Sequence, residues 1–181
     1  MTMSKKKPPI KKYTIHIFSA RALREECFDL PKDEYAVITL SIFSFEYAEL
    51  LRSRNWLAIP FIDTTNPKDP RRLTNARARK IIRYINNLPN TVTDLYICCD
   101  WGQSRSAAVA ASLLLASGRT DAPVWNNPNY RPNRFVFRKM CHTLGIRMPL
   151  HKLYWRVIRN RLIRTRLFKK YSKHELWEIL F

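Results

Sequence analysis

A cysteine and an arginine stand with five residues between them near the middle of the chain, in a setting that suits phosphate chemistry. Cys99 follows the apolar run 95–98, and Arg105 precedes the small residues 107–111. A loop between a strand and a helix N-terminus can turn its backbone N–H groups toward an anion, and the helix dipole adds positive potential there. The same potential favours the thiolate of a nearby cysteine, and a guanidinium can donate to two phosphate oxygens at once. The pattern therefore predicts an anion-binding loop, the Cys99 loop (residues 99–105), with a nucleophile at its start.

The Cys99 loop resembles the Cys-x5-Arg-Ser signature of the protein tyrosine phosphatase superfamily, and its Gly-x-Ser-Arg-Ser ending is similar to that of the compact, dual-specificity-like branch. The resemblance implies that Cys99 is a nucleophile that forms a cysteinyl-phosphate, and that Arg105 binds the phosphoryl oxygens. The Ser106 hydroxyl is placed to donate a hydrogen bond to the thiolate. Neither a metal nor a cofactor is implied. The residues expected to bind substrate are Asp100, Trp101, Gly102, Gln103, Ser104 and Arg105.

The leaving oxygen of a phosphomonoester needs a proton donor, which has to come from outside the loop. In the dual-specificity branch this acid is an aspartate on a loop that follows a strand. Asp63 comes directly after the apolar stretch 59–62 and is similar to that arrangement. Asp69 is the alternative, although it lies between Lys68 and Pro70 with no strand before it. We therefore expect Asp63 to be the general acid.

Two further positions are expected to support the loop. The segment 131–137 is similar to a Pro-Asn-x-x-Phe segment of dual-specificity phosphatases, which implies that Asn133 braces the loop by hydrogen bonds. An N-cap of the following helix is a compatible role for this asparagine. Cys98 stands where the family usually has a histidine that orders the loop. An inert buried thiol is expected there, with a redox-sensitive disulfide as the alternative.

The side chains within the loop bear on the substrate. Family members that act on phosphoinositides tend to carry lysines here, whereas this loop has the acidic Asp100 and the neutral Gln103. The loop also differs from that of the RNA triphosphatases in the superfamily. Trp101 stands where small residues are common, and it either packs inward or walls the pocket and stacks on a substrate ring. The expected substrate is therefore a phosphorylated protein that carries phosphotyrosine, with or without phosphoserine and phosphothreonine.

The charge of the chain keeps two other functions open. Lys and Arg number 33 against 14 Asp and Glu, a formal net charge of +19, which favours anionic partners. One alternative is a phosphatase-like module that binds phosphorylated ligands or nucleic acid with weak turnover, since Cys98 and Trp101 depart from the family pattern. An RNA 5′-phosphatase is the other, which the charge favours and the loop sequence does not.

Cysteine use and hydropathy favour a cytoplasmic protein. The cysteines Cys27, Cys98, Cys99 and Cys141 show neither a CxxC pair nor the density of a disulfide scaffold, which is typical of reduced thiols. A zinc site formed by the last three and His142 lacks the usual ligand spacing. The Lys- and Pro-rich start has no apolar core of a secretory signal, and no run reaches the length of a membrane span.

Hydrophobic patterning predicts an α/β fold with a mostly parallel central sheet flanked by helices. Nearly continuous apolar strands that alternate with helices are typical of such a sheet. Ligands of these sheets bind beyond the carboxyl ends of the strands, where the Cys99 loop begins. Strands are expected over 13–18, 36–42, 56–62 and 94–98. Helices are expected after the caps Ser19 and Thr74, from Arg105 to about Ser117, and over 134–144.

The chain is expected to hold one phosphatase-like domain, residues 13–148, between two basic extensions. Residues 1–12 predict a flexible basic arm, and residues 149–181 predict a basic helical extension packed on or next to the domain. That extension either packs its apolar stripe on the domain, or binds nucleic acid or an anionic membrane surface. The apolar residues that recur at helical spacing are Tyr154, Val157, Ile158 and Leu162.

Overall fold

The computed structural model describes residues 10–26, 33–42 and 55–170. Most of the predicted arm 1–12, Cys27 and the last part of the basic extension lie outside these residues. In chain order the elements are β1 (Thr14–Ser19), α1 (Ala20–Glu26), β2 (Tyr35–Thr39), β3 (Asn55–Ala58), α2 (Asn75–Asn86), β4 (Asp94–Cys99), α3 (Arg105–Ala116), α4 (Ala122–Trp125), α5 (Arg134–Thr143) and α6 (Leu150–Lys170).

The four strands form one sheet in the order β1-β4-β2-β3, and every neighbouring pair is parallel. The predicted α/β fold with a parallel central sheet is therefore confirmed. β4 lies inside the sheet, with Ser19 of β1 opposite Cys99 and Thr39 of β2 opposite Cys98. The Cys99 loop thus begins between the carboxyl ends of two neighbouring strands.

Alternate side chains of the strands point to opposite faces of the sheet and pack into two separate layers of the core. Ile97 and Cys99 belong to the larger layer, which also contains buried residues of α2, α3 and α5. Tyr96 and Cys98 belong to a smaller layer with Leu23 of α1. The adjacent thiols of Cys98 and Cys99 therefore lie on opposite faces of the sheet, and both are free of disulfides.

β2 and β3 cover only part of the predicted strands 36–42 and 56–62. The residues just past their ends are largely buried, but backbone groups there turn to another partner. The carbonyl oxygens of Leu40 and Phe61 accept hydrogen bonds from the Arg105 guanidinium, at 2.9 and 2.6 Å. These contacts hold the backbone at the ends of β2 and β3 around the guanidinium.

Two helices begin at the predicted N-caps. The Thr74 hydroxyl accepts a hydrogen bond from Arg77 N at 3.2 Å ahead of α2, and the Ser19 hydroxyl accepts one from Ala22 N at 3.1 Å ahead of α1. Each cap satisfies a backbone donor that the first turn leaves without an intrahelical partner. α2 then buries one apolar face, which comprises Ala78, Ile81, Ile82 and Ile85.

A short helix, α4, lies between α3 and α5, where hydrophobic periodicity predicts no helix. It spans four residues, carries a proline in its first turn and buries Val124 and Trp125. Proline suits that position, because the N–H that it lacks would have no partner inside the helix. A single turn is too short to give a periodicity signal, which is why the pattern misses it.

α6 docks next to α4 through polar side chains. Asn160 Nδ2 donates to the carbonyl oxygens of Trp125 and Tyr130, at 2.9 and 3.1 Å. Arg156 Nε donates to Asp121 Oδ2 at 2.7 Å, in a partly buried ion pair. Buried carbonyl oxygens need donors, and this face of the helix supplies them.

The apolar stripe predicted for this helix faces solvent rather than the domain. Tyr154, Ile158 and Leu162 are 52%, 46% and 51% exposed. Of the four predicted residues only Val157 turns partly inward, beside the buried Leu153. Of the two alternatives for this extension, packing of the stripe on the domain is not the arrangement in the structure, because the donors that α4 and its loop require lie on the other side of the helix. Within the described residues, no helix is both long enough and apolar enough to cross a membrane.

Candidate active site

The Cys99 loop connects the end of β4 with the start of α3 and packs against the end of β1. Gly102 has a φ of +66°, and a Cβ atom on it would lie 2.6 Å from Phe18 C and from Ser19 N. Both the left-handed backbone and the close approach require glycine here. Any larger residue at this position would push the loop away from the edge of the sheet.

The loop leaves backbone donors available to a ligand. Among the described residues, the N–H groups of residues 101–104 donate no hydrogen bond, and Ser104 makes no side-chain cap bond ahead of α3. The loop is held through its carbonyl oxygens instead. Gln103 O accepts from Arg131 N at 2.8 Å, and Ser104 O accepts from Asn133 N at 3.3 Å. Unpaired N–H groups at a helix N-terminus favour the binding of an anion.

The candidate nucleophile lies against a hydroxyl group. Cys99 Sγ and Ser106 Oγ are 3.2 Å apart, and both side chains are buried. A hydroxyl at this distance can donate a hydrogen bond to a thiolate. Burial raises the pKa of the Cys141 thiol to about 12, so this thiol stays protonated near neutral pH.

The guanidinium of Arg105 is buried beneath the loop, with 4% of the residue exposed. Its Nη1 donates to the two carbonyl oxygens at the strand ends. Its Nη2 donates to Asp100 Oδ2, a contact that nothing in the sequence indicates. Within the described part of the chain, Arg105 Nε and Asp100 Oδ1 have no partner. A buried N–H without a partner is costly until a ligand accepts from it, so the Nε edge suits a phosphate oxygen.

Asn133 connects the candidate acid with α5. Its Nδ2 donates to Asp63 Oδ1 at 2.6 Å and to Thr64 O at 3.2 Å. Its Oδ1 accepts from Phe135 N and Val136 N at 2.9 and 3.1 Å, as the predicted N-cap. The side chain does not brace the Cys99 loop as expected, because its donors and acceptors all pair with Asp63, Thr64 and the first turn of α5. Asn133 contacts the Cys99 loop through its backbone N–H alone.

The two candidate acids differ in their surroundings. Asp69 Oδ1 accepts from Arg71 N at 2.9 Å, and Oδ2 lies 3.3 Å from Arg71 Nη2. Hydrogen bonds from the side chain and backbone of Arg71 hold the pKa of Asp69 below its ordinary value, so this carboxyl stays ionised in its own loop. Asp63 instead lines a cavity together with Ser104 of the Cys99 loop. Of the two carboxyl groups, Asp63 is the one that lies beside the Cys99 loop.

That cavity has a volume of about 460 Å³, and two arginines lie in its wall beside the single carboxylate of Asp63. Arg131 and Arg134 line it, and neither guanidinium has an ion pair within the described residues. Burial and the charge of Arg131 hold the pKa of Arg164 on α6 below its ordinary value. Val157 of α6 also lines the cavity, so the C-terminal helix forms part of the site. The sequence did not identify Arg131 and Arg134 as site residues, although both lie in the segment 131–137.

Trp101 and Cys98, the two positions that depart from the family pattern, differ in their exposure. Trp101 is 74% exposed, which excludes inward packing and leaves its ring free beside the loop. Cys98 is 1% exposed and packs on the opposite face of the sheet from Cys99. No group of three or more His, Cys, Asp or Glu side chains that could hold a metal occurs in the described ranges.

Comparison with known proteins gives similarity at the level of solved structures. The crystal structure of Tk-PTP in the active form is similar over 91% of this chain and 99% of that chain, with 18% identity and a TM-score of 0.43. The crystal structure of PTPMT1 in complex with PI(5)P is similar over 88% of this chain and 97% of that chain, with 16% identity and a TM-score of 0.41. No protein-family model and no curated protein matches the sequence.

Proposed function

We propose that this protein is a cysteine-dependent phosphomonoester hydrolase that acts on phosphotyrosine in proteins, with or without activity on phosphoserine and phosphothreonine. The observation that carries the proposal is the convergence of three groups at the carboxyl end of β4. These are the Cys99 thiol with a hydroxyl 3.2 Å away, unpaired backbone N–H groups, and a buried guanidinium with a free Nε. Together they supply a nucleophile and donors for a phosphoryl group.

In the first step the Cys99 thiolate attacks phosphorus, and the bond from phosphorus to the tyrosyl oxygen breaks. The loop N–H groups and Arg105 Nε donate to the phosphoryl oxygens, which carry the developing charge. Asp63 gives its proton to the leaving oxygen, so that the alcohol departs neutral. The product of this step is a cysteinyl-phosphate.

In the second step water attacks phosphorus, and the bond between phosphorus and sulfur breaks. The Asp63 carboxylate accepts a proton from the water, which returns the acid to its starting state. The Ser106 hydroxyl donates a hydrogen bond to the departing thiolate. Inorganic phosphate is released and the thiolate is regenerated.

The exposed indole of Trp101 supports the preference for an aromatic phosphate. Its ring lies beside the loop and is 74% exposed, so a substrate ring can stack on it. Acidic Asp100 inside the loop disfavours a headgroup with several phosphates, because its carboxylate would repel the additional charge.

A second candidate function is a phosphate-binding module with weak turnover. The contact between Asp100 and Arg105 favours weak turnover, since a carboxylate already occupies a guanidinium donor that would otherwise stabilise the charge of the transition state. The two functions predict different rates of phosphate ester hydrolysis by the wild-type protein, and a single aryl phosphatase assay distinguishes them.

The test is hydrolysis of a small aryl phosphate in the presence of EDTA and a reductant. We expect turnover by the wild-type protein, inhibition by vanadate, and no turnover by Cys99→Ser. The serine variant should still bind vanadate or phosphate, which calorimetry would measure. Cys141→Ser is the matched control and should keep its activity. If the wild-type protein binds phosphate but shows no turnover from mildly acidic to neutral pH, the binding module is the correct function.

A further inference from the structure

The exposed apolar side chains of the described residues are concentrated on one helix. Seven large hydrophobic residues are exposed, of which Ile42 and Trp101 lie elsewhere. Single exposed apolar residues are ordinary on a protein surface, whereas a contiguous group marks an interaction site. The other five belong to α6 and are 46–65% exposed: Leu150, Tyr154, Trp155, Ile158 and Leu162.

These five residues form one continuous face, the outer stripe of α6. Leu150, Tyr154, Ile158 and Leu162 follow one another at four-residue spacing, which places them above one another on a helix. Trp155 lies beside Ile158 and Leu162, because it precedes them by three and seven residues. Asn160 and Arg156 hold the opposite face of the helix against the domain. The docking of the helix therefore fixes the outer stripe toward solvent.

Positive charge borders the outer stripe on both sides. α6 contains eight Lys and Arg residues and neither Asp nor Glu. At 3.6 residues per turn Arg161 lies along one edge of the stripe, and Lys152, Arg159 and Arg166 lie along the other. All four of these side chains are exposed. The surface is thus apolar along its centre and basic along its margins.

We propose that the outer stripe of α6 binds the surface of an anionic lipid bilayer. The helix would lie parallel to the membrane, with its apolar centre at the boundary of headgroups and acyl chains and its basic margins among anionic headgroups. Trp155 and Tyr154 suit this depth, since amphipathic aromatic rings favour the membrane interface.

Two other occupants fit the same surface less well. A nucleic acid would neutralise the basic margins but would leave the apolar centre without a partner. A second copy of the chain would cover the apolar centre but would bring two basic helices together, in a protein of net charge +19. An anionic bilayer satisfies both parts of the surface.

The test is co-sedimentation of the full-length protein with vesicles of phosphatidylcholine, alone and with about one third phosphatidylserine. We expect binding to the anionic vesicles that weakens with salt. Ile158→Gln/Leu162→Gln should lower the apparent affinity about tenfold, because it removes two apolar contacts with the bilayer. Arg159→Gln/Arg166→Gln should lower it by about fivefold or more per charge. Glutamine favours helices, and thermal unfolding checks that each variant folds.

The matched control is Arg79→Gln/Arg83→Gln, which removes the same charge from the exposed face of α2. It should weaken vesicle binding much less than the α6 variant. Equal losses in the two arginine variants would mean non-specific attraction and would overturn the proposal. Wild-type binding by Ile158→Gln/Leu162→Gln would overturn it as well. A concentration-dependent dimer that this variant abolishes, without vesicle binding, would instead assign the stripe to a second copy.

Discussion

At the scale of single residues, the contact of Asp100 with Arg105 has the largest consequence for phosphate binding. Its carboxylate accepts a hydrogen bond from Arg105 Nη2, beside the Nε that has no partner within the described residues. A phosphate that binds the guanidinium must either displace this carboxylate or lie next to it. Either arrangement weakens the binding of a dianion, because two like charges then share one donor group.

We expect Asp100→Asn to bind inorganic phosphate about tenfold more tightly than the wild-type protein, because the competing charge is removed. The inhibition constant for phosphate in the aryl phosphatase assay measures this directly. Calorimetry in the Cys99→Ser background measures it without turnover. Asp69→Asn makes the same change of charge outside the site and should leave phosphate binding unchanged. Weaker binding by Asp100→Asn would show that the carboxylate orients the guanidinium rather than competing with the ligand.

The identity of the general acid is a second question at the residue scale. Asp63→Ala should lower the turnover of phenyl phosphate about 100-fold, because its leaving oxygen needs a proton. The loss should be smaller for nitrophenyl phosphate, whose leaving group is stable as an anion. This dependence on the leaving group separates loss of an acid from a general disturbance of the pocket. Asp69→Ala is the control, and a larger loss there than in Asp63→Ala would refute the assignment.

At the scale of elements, Asn133 links the loop after β3 to the start of α5. One side chain caps the helix through Oδ1 and holds Asp63 through Nδ2. The backbone N–H of the same residue holds Ser104 of the Cys99 loop. One residue therefore positions the Cys99 loop, the loop that contains Asp63, and the N-terminus of α5.

Substitution of Asn133 can separate the two roles of its side chain. Asn133→Ala should lower the free energy of unfolding by about 1 kcal/mol through loss of the N-cap. Asn133→Ser keeps a good capping residue but is too short to reach Asp63, so its stability should be nearly unchanged. Both variants should lose about tenfold in turnover of phenyl phosphate, because the acid is no longer held. Urea denaturation and the kinetic assay provide the two measurements, and full activity in Asn133→Ser would exclude a positioning role.

At the scale of the whole molecule, α6 forms part of the cavity wall and presents a separate surface to solvent. Val157 on its inner side lines the cavity beside the Cys99 loop. The helix is held by donors to backbone carbonyl oxygens rather than by its apolar stripe. Its attachment therefore combines a few buried or partly buried hydrogen bonds with the packing of Leu153.

Asn160→Ala tests this attachment. It leaves the carbonyl oxygens of Trp125 and Tyr130 buried without their donor, so the free energy of unfolding should fall by about 2 kcal/mol. Arg159→Ala changes an exposed neighbour and should stay within about 0.5 kcal/mol of the wild-type protein. Urea denaturation of the full-length protein measures both. Unchanged stability in Asn160→Ala would mean that apolar packing at Leu153 suffices to hold the helix.

Local patterns were sufficient for much of the fold. The strand before Cys99, the caps of Thr74 and Asn133, and the parallel sheet follow from apolar runs, capping residues and the alternation of strands with helices. These signals depend on neighbours within a few positions, so a single sequence contains them. The end of β2 and the face of α6 that docks depend on partners that are distant in sequence, so local patterns did not determine them. The helix α4 is too short to give a periodicity signal.

The sequence by itself determined the residue types and spacing of the Cys99 loop, the candidate acid Asp63 and the basic character of the C-terminal segment. Only the tertiary structure decided how these features are used. It placed Asp100 on the guanidinium, joined Asn133 to Asp63, and turned the apolar stripe of α6 outward. In each case the physical reason is the same, because buried donors and acceptors must pair, and their partners come from residues far apart in the chain.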